Sequence, residues 1–176
     1  MPLEDLRELI RTTKFKQMEL RRWYSKFCRD YPSGKMDKQD FYKLLGKVSK
    51  TALDSAADHL FRLFDHDHDG NVGFKELMST LSLTTSGSVK KKMKWIFDVY
   101  DVDGNGTITL EELQNVVTCM QSIKTRRRYS ATRFLTHEML KFRFNKTDRN
   151  NKGELTLEEF TELTESLPEL ITVLNP

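Results

Sequence analysis

A twelve-residue pattern of oxygen donors occurs twice in this chain, and it constrains the fold more than any other feature. The first copy carries Asp65, Asp67, Asp69, Gly70 and Glu76; the second carries Asp101, Asp103, Asn105, Gly106 and Glu112. Short side chains at positions 1, 3 and 5 of such a loop curl round one cation. The backbone carbonyl at position 7, from Asn71 or Thr107, adds a ligand, and glycine at 6 permits the sharp turn. The glutamate at 12 rides on the first turn of the next helix and supplies two oxygens, so ion binding is coupled to that helix's direction. Hard oxygen donors without Cys or His select calcium, and about six to eight of them suit it better than magnesium. An acidic surface turn has no reason to satisfy five constrained positions twice.

The pattern is that of an EF-hand loop, and it sits in a longer repeat. Placing Gly34 at position 6 of an earlier loop puts Arg29 at 1, Tyr31 at 3 and Asp40 at 12, which leaves no ion-binding chemistry. The loops then start at residues 29, 65 and 101, a period of 36 residues. A fourth begins at Asp148 and continues through Asn150, Lys152, Gly153 and Glu159. Lysine at position 5 brings an ammonium where a ligand belongs, and only Asp148 and Glu159 remain as anionic ligands, so this loop is expected to be empty at ordinary calcium. Position 8 is apolar throughout, as Met36, Val72, Ile108 and Leu155, which predicts that paired loops touch through a short antiparallel strand.

Helical spacing of Leu3, Leu6, Leu9 and Ile10, then of Phe15, Met18, Trp23 and Phe27, predicts two helices before the first loop, with Thr13 capping the second. The small polar stretch Thr84 to Ser88 reads as a linker. The expected fold is all-α: four EF-hands in two pairs, residues 1–85 and 86–176, each pair with a two-stranded loop contact. Leu167, Leu170, Ile171 and Leu174 form a last amphipathic stretch that Pro168 can begin, either extending the core or folding back over a groove as a plug.

No apolar run approaches the length of a membrane span, and the start, MPLEDLRELI, lacks the pattern of a secretory signal. Cys28 and Cys119 lie far apart, so reduced thiols in a cytoplasmic protein are expected. Net charge is +3 although the loops are acidic, because basic residues cluster elsewhere. Seven Lys or Arg against Glu19 alone lie between Arg11 and Arg29, and eight against Glu138 alone lie between Leu113 and Thr147, including the connector Lys124 to Arg133. Such clusters are either solvated faces or contacts for an anionic membrane or acidic partner. No nucleic-acid motif accompanies them. His66 and His68 stand at even loop positions that point away from the ion, which disfavours zinc. Arg127, Arg128, Tyr129 and Ser130 have the form of a basophilic kinase target, a common short match.

The chain resembles the neuronal calcium sensor family, the group of recoverin, frequenin, visinin-like and guanylate-cyclase-activating proteins. The resemblance rests on Phe15, Trp23, Tyr24 and Phe27 before the first loop, on Pro32, Ser33 and Gly34 inside it, and on Leu81, Ser82 and Leu83. Met93 to Phe97 and the Leu167 to Leu174 tail also carry it. Four EF-hands with a disabled first loop is a specific signature of that family. Departures are Pro2, where members carry the glycine that is myristoylated, so no myristoylation is expected at Pro2, and Tyr31 in place of the first loop's cysteine. The arginine-rich connector is a third.

The resemblance implies a calcium sensor that binds two ions and then exposes a hydrophobic groove to an amphipathic helix of a target protein. Trp23, Phe27, Phe41, Leu45, Phe61, Phe64 and Leu77 are the residues expected to line it. A calcium buffer, or a constitutively bound subunit like the small subunit of calcineurin, would use the same loops. No nucleophile, phosphate loop or acid-base pair suggests an enzyme.

Overall fold

The computed structural model of the protein describes residues 2–44, 54–86, 88–122 and 135–172. Leu45, the Lys124 to Arg133 connector with Ser130, and Leu174 fall outside the described residues. The first half runs α1 (Leu3–Thr12), α2 (Gln17–Asp30), β1 (Lys35–Asp37), α3 (Lys38–Leu44), α4 (Asp54–Phe64), β2 (Asn71–Gly73) and α5 (Phe74–Ser86). The second runs α6 (Val89–Tyr100), β3 (Ile108–Thr109), α7 (Leu110–Ser122), α8 (His137–Thr147), β4 (Glu154–Leu155), α9 (Leu157–Ser166) and α10 (Glu169–Thr172).

The strands are the contacts that position 8 predicts. β1 and β2 pair antiparallel with Met36 opposite Val72, and β3 and β4 with Ile108 opposite Leu155. All four of these side chains are buried, so each pair of loops is pinned by one apolar rung. Helices flank each rung, giving an all-α fold of paired EF-hands.

Two local expectations change. Thr13 closes α1 instead of opening α2: its hydroxyl donates to the Leu9 carbonyl at 2.6 Å and accepts from the Phe15 amide at 3.3 Å. α2 starts three residues later, where the Lys16 amide donates to the Glu19 carboxylate at 2.9 Å, one half of a capping box. The polar stretch Thr84 to Ser88 is not all linker either, because α5 continues to Ser86 and Ser88 caps α6. Packing of an apolar helix face outweighs the weak helix propensity of Ser and Thr.

Aromatic side chains fill both halves. Phe41 stacks against Phe61 and Phe64 with ring centroids 5.4 and 5.3 Å apart, and Phe160 packs against Phe97 and Tyr100 at 5.8 and 5.1 Å. The buried Tyr100 hydroxyl donates to the Leu170 carbonyl at 3.1 Å, which ties the chain around α10 to α6. Burial pushes that phenol's pKa far up, so it stays a donor. Leu167 and Leu170 are core residues, and Pro168 immediately precedes α10.

The halves touch where α4 lies against α6 and α7, and α5 against α6. At this seam the buried His59 places Nε2 2.6 Å from the Asp98 carbonyl oxygen, so the neutral ring donates to it. Burial holds the His59 pKa below its ordinary 6.5, with Arg62 adding to the effect, while the bond to Asp98 opposes it. Above 6.5 both folded and unfolded chains carry a neutral ring; as pH falls below that value the unfolded chain takes up a proton that the folded chain refuses. Stability is therefore lost as pH drops from 6.5 through the folded value. In urea unfolding between about pH 7.5 and about pH 5.5, His59→Gln should lose less stability than the wild type. Equal losses would remove His59 from the acid response.

Candidate metal centre

Each loop with the full donor pattern hangs between two helices, and its last candidate ligand belongs to the second of them. Asp65 follows α4 and Glu76 is the third residue of α5; Asp101 follows α6 and Glu112 is the third residue of α7. Carboxylate oxygens of Asp65, Asp67 and Glu76 all lie within 4.8 Å of one another, as do those of Asp101, Asp103 and Glu112.

Backbone amides hold these carboxylates in place. Glu76 Oε1 accepts from the His66 amide at 2.9 Å, and Oε2 accepts from Gly73 at 2.7 Å. Glu112 repeats this, accepting from Val102 at 3.0 Å and from Thr109 at 2.8 Å. Asp65 and Asp101 each accept from two amides: Asp69 and Gly70 in the first loop, Asn105 and Gly106 in the second. Gly70 and Gly106 have φ of +81° and +88°, the left-handed turn that the glycine at position 6 supplies. Convergent carboxylates with no thiol or imidazole among them fit a hard dication such as calcium. Neither His66 nor His68 joins a convergent ligand group among the described residues.

The remaining expected ligands are close by but differently engaged. Asp69 stands outside the convergent set; its Oδ1 accepts from the Asn71 amide at 2.8 Å and its Oδ2 is ion-paired with Lys35 of β1. The Lys35 ammonium beside it holds the Asp69 carboxyl below the usual carboxylate range. Asn105 Oδ1 accepts from both the amide and the hydroxyl of Thr107, at 2.8 and 2.7 Å.

The other two loops keep the scaffold with a different donor set. Asp148 Oδ2 accepts from Gly153 at 2.8 Å and Glu159 Oε1 from Arg149 at 3.2 Å, as in a live loop, but Lys152 occupies position 5. The Thr156 amide chiefly, then the Thr156 hydroxyl and the Arg149 amide, hold the Glu159 carboxyl below its ordinary pKa against some desolvation. In the first loop Gly34 still turns with φ +76°, but Tyr31 packs its ring on Phe27 and Asp40 pairs with Lys43 at 2.8 Å.

Beside the first pair lies an apolar cavity of about 520 Å³ lined by Phe15, Trp23, Phe27, Tyr31, Phe74 and Leu77, among others. Of the residues expected in a groove, Trp23, Phe27 and Leu77 meet here. Phe41 and Phe61 are core residues and Phe64 stacks on Phe41, so these three do not line it. Phe74, Met78 and Leu81 line it as well, and spacing alone marks them: with Leu77 they fall at the i, i+3, i+4, i+7 positions of one helix face.

Two pairs of helix-loop-helix units sharing one short rung each, with oxygen-only ligand groups, define an EF-hand calcium-binding protein. Sequence models of an EF-hand domain pair match residues 32–82 and 90–165. The chain is 43% identical to S-modulin of Aquarana catesbeiana over 118 residues, 66% of this chain and 58% of that protein. It is 36% identical to guanylyl cyclase-activating protein 1 of Lithobates pipiens over 158 residues, covering 89% of this chain and 75% of that one. Against human recoverin the figures are 42% over 115 residues, 65% of this chain and 58% of recoverin. The chain thus spans under two thirds of S-modulin and recoverin and three quarters of the cyclase activator. It belongs to the neuronal calcium sensor family, as a calcium-binding signalling protein and not an enzyme. No helix among the described residues is long and apolar enough to cross a membrane.

One backbone difference separates the two live loops. Position 4 has a positive φ in both, but it is Gly104 (φ +73°) in the second and His68 (φ +57°) in the first. A Cβ in this region costs about 1 kcal/mol. His68→Gly should therefore stabilise the calcium-free chain by about 0.5–1 kcal/mol in urea unfolding, and Gly104→His should destabilise it by about 1 kcal/mol. The same sign for both would contradict this account.

Proposed function

We propose that the chain is a calcium sensor that binds one ion in each half, at the Asp65 to Glu76 and Asp101 to Glu112 loops, and responds by opening an apolar groove for a target helix. Residues 1–85 and 86–176 act as the two units, each with one working loop and one that only braces it. Asp65, Asp67, Asp69, Glu76 and the Asn71 carbonyl would hold the first ion; Asp101, Asp103, Asn105, Glu112 and the Thr107 carbonyl the second. Calcium when bound supplies the dication that offsets the mutual repulsion of these carboxylates.

One observation carries the reading: Glu76 shares α5 with Leu77, Met78 and Leu81, which line the cavity. A shift of the Glu76 carboxylate towards the loop centre turns α5, and with it that wall. Each large apolar side chain covered by a partner contributes roughly 1.5–3 kcal/mol, so a few suffice for micromolar binding after association costs. Lys26 and Asp30 lie on the same wall, and Arg22 and Arg29 flank Trp23 next to it. This positive face of α2 suits an acidic partner segment or an anionic membrane surface. The Lithobates pipiens relative is named for activating a guanylyl cyclase, which makes such a cyclase the first target to test.

Native mass spectrometry should count two calcium ions per chain, and Glu76→Gln and Glu112→Gln should each remove one. A third ion would restore the Asp148 loop to function. Calcium should raise hydrophobic-dye fluorescence and permit capture of a target helix, with Trp23→Ala weakening capture about tenfold or more. Dye fluorescence unchanged by calcium would favour a buffer, and capture without calcium a fixed regulatory subunit.

A further inference from the structure

The two ion-free loops are not equivalent braces, and the difference lies in one side chain each. β1 places Lys35, position 7 of the first loop, opposite Gly73, and β4 places Glu154, position 7 of the fourth, opposite Thr109. Gly73 and Thr109 are position 9 of the live loops, and their amides donate to the bidentate glutamates Glu76 and Glu112. The two dead loops therefore present opposite charges from the same place in the repeat. Lys35 pairs with Asp69, and the charges of Asp67 and Glu76 also reach its ammonium. The Thr107 hydroxyl lies 3.2 Å from Glu154 Oε2 and 2.7 Å from Asn105 Oδ1, an expected ligand, so its one proton serves either acceptor. The other charged residue on β1, Asp37, is turned away: its carboxylate accepts from the Asp40 amide at 2.8 Å, at the start of α3.

We infer that Lys35 and Glu154 rank the two calcium sites, weakening the Asp65 loop and strengthening the Asp101 loop so that the latter fills first. This rests on the calcium-site reading above and goes beyond it, because neither residue belongs to the ligand motif. Counting ligands alone favours the Asp65 loop, with four carboxylates against three. Including the neighbour reverses the order: among the described residues, four carboxylates and one ammonium against four carboxylates with no paired ammonium. An incoming dication is repelled by Lys35, and Asp69 must loosen its ion pair before it can turn inward to become a ligand. At the other site Glu154 attracts the dication, and among the described residues it has no ion-pair partner to leave. Both side chains are solvent-facing, so the effect is screened, and about a two- to fivefold change per charge is the expected scale.

The Gly70 and Gly106 amides, each donating to the first aspartate of its own loop, report the sites separately by NMR. In a calcium titration of the full chain against a competing chelator at low salt, Gly106 should reach its midpoint before Gly70. Lys35→Gln should tighten the Gly70 midpoint about two- to fivefold with Gly106 unmoved, and Glu154→Gln should weaken the Gly106 midpoint similarly. Raising salt on the wild-type chain should narrow the gap between the two without any substitution. Gly70 filling first, or midpoints that ignore both substitutions, would overturn the inference while leaving two calcium sites in place. If neither glycine responds to calcium, the site reading falls and the inference with it.

Discussion

The bond on which this architecture rests is that between a helix-borne glutamate and the backbone amides of the loop before it. Glu76, Glu112 and Glu159 each accept from an amide at the start of their loop and from another three residues before themselves. The second contact, with Thr109 and Thr156, is also a capping box, in which the threonine hydroxyl accepts the glutamate amide in return. One carboxylate thus ends a loop, starts a helix and serves as a candidate ligand. Charge-assisted bonds of this kind are about twice as strong as neutral ones, so the loops can be shaped before any ion arrives. The fourth loop shows the consequence: it keeps the whole amide network around Asp148 and Glu159 although Lys152 interrupts its donors.

Local spacing was enough to read the scaffold. The twelve-residue loops, their helix-borne glutamates and the apolar rungs at position 8 all follow from residues within a dozen positions of each other, because an EF-hand loop is a local structure. The helices of the first half follow from apolar periodicity, although Leu3 and Ile10 are exposed where Leu6 and Leu9 are buried. What spacing left open needed the third dimension. Thr13 is expected from spacing to cap the second helix, and only the bond to the Leu9 carbonyl shows that it closes the first. Phe41, Phe61 and Trp23 look alike as groove residues until the helices are rotated into place, which sends the first two inward. Lys35 and Glu154 gain their meaning from the register of a strand pair, which brings together residues more than thirty positions apart in the chain.

The cavity of the first half and the seam between halves share helices with the loops. α5 carries Glu76 and part of the cavity wall, and α4, which enters the Asp65 loop, also carries His59 to the Asp98 carbonyl on the helix that enters the Asp101 loop. The two live loops are therefore joined by packed elements as well as by chain. Tyr100, at the end of that same helix, holds the segment around Leu170 through its hydroxyl, so the chain after the fourth loop is packed against the entrance to the third.

The meeting of α5 and α6 sets how these parts can move. α5 ends at Ser86 and α6 starts at Val89, so helix covers the first part of the polar stretch that reads as a linker. α5 and α6 also pack directly against each other, so a turn of α5 meets the side chains of α6 whatever the junction between them does. Mechanically the halves resemble two meshed gears more than two beads on a string.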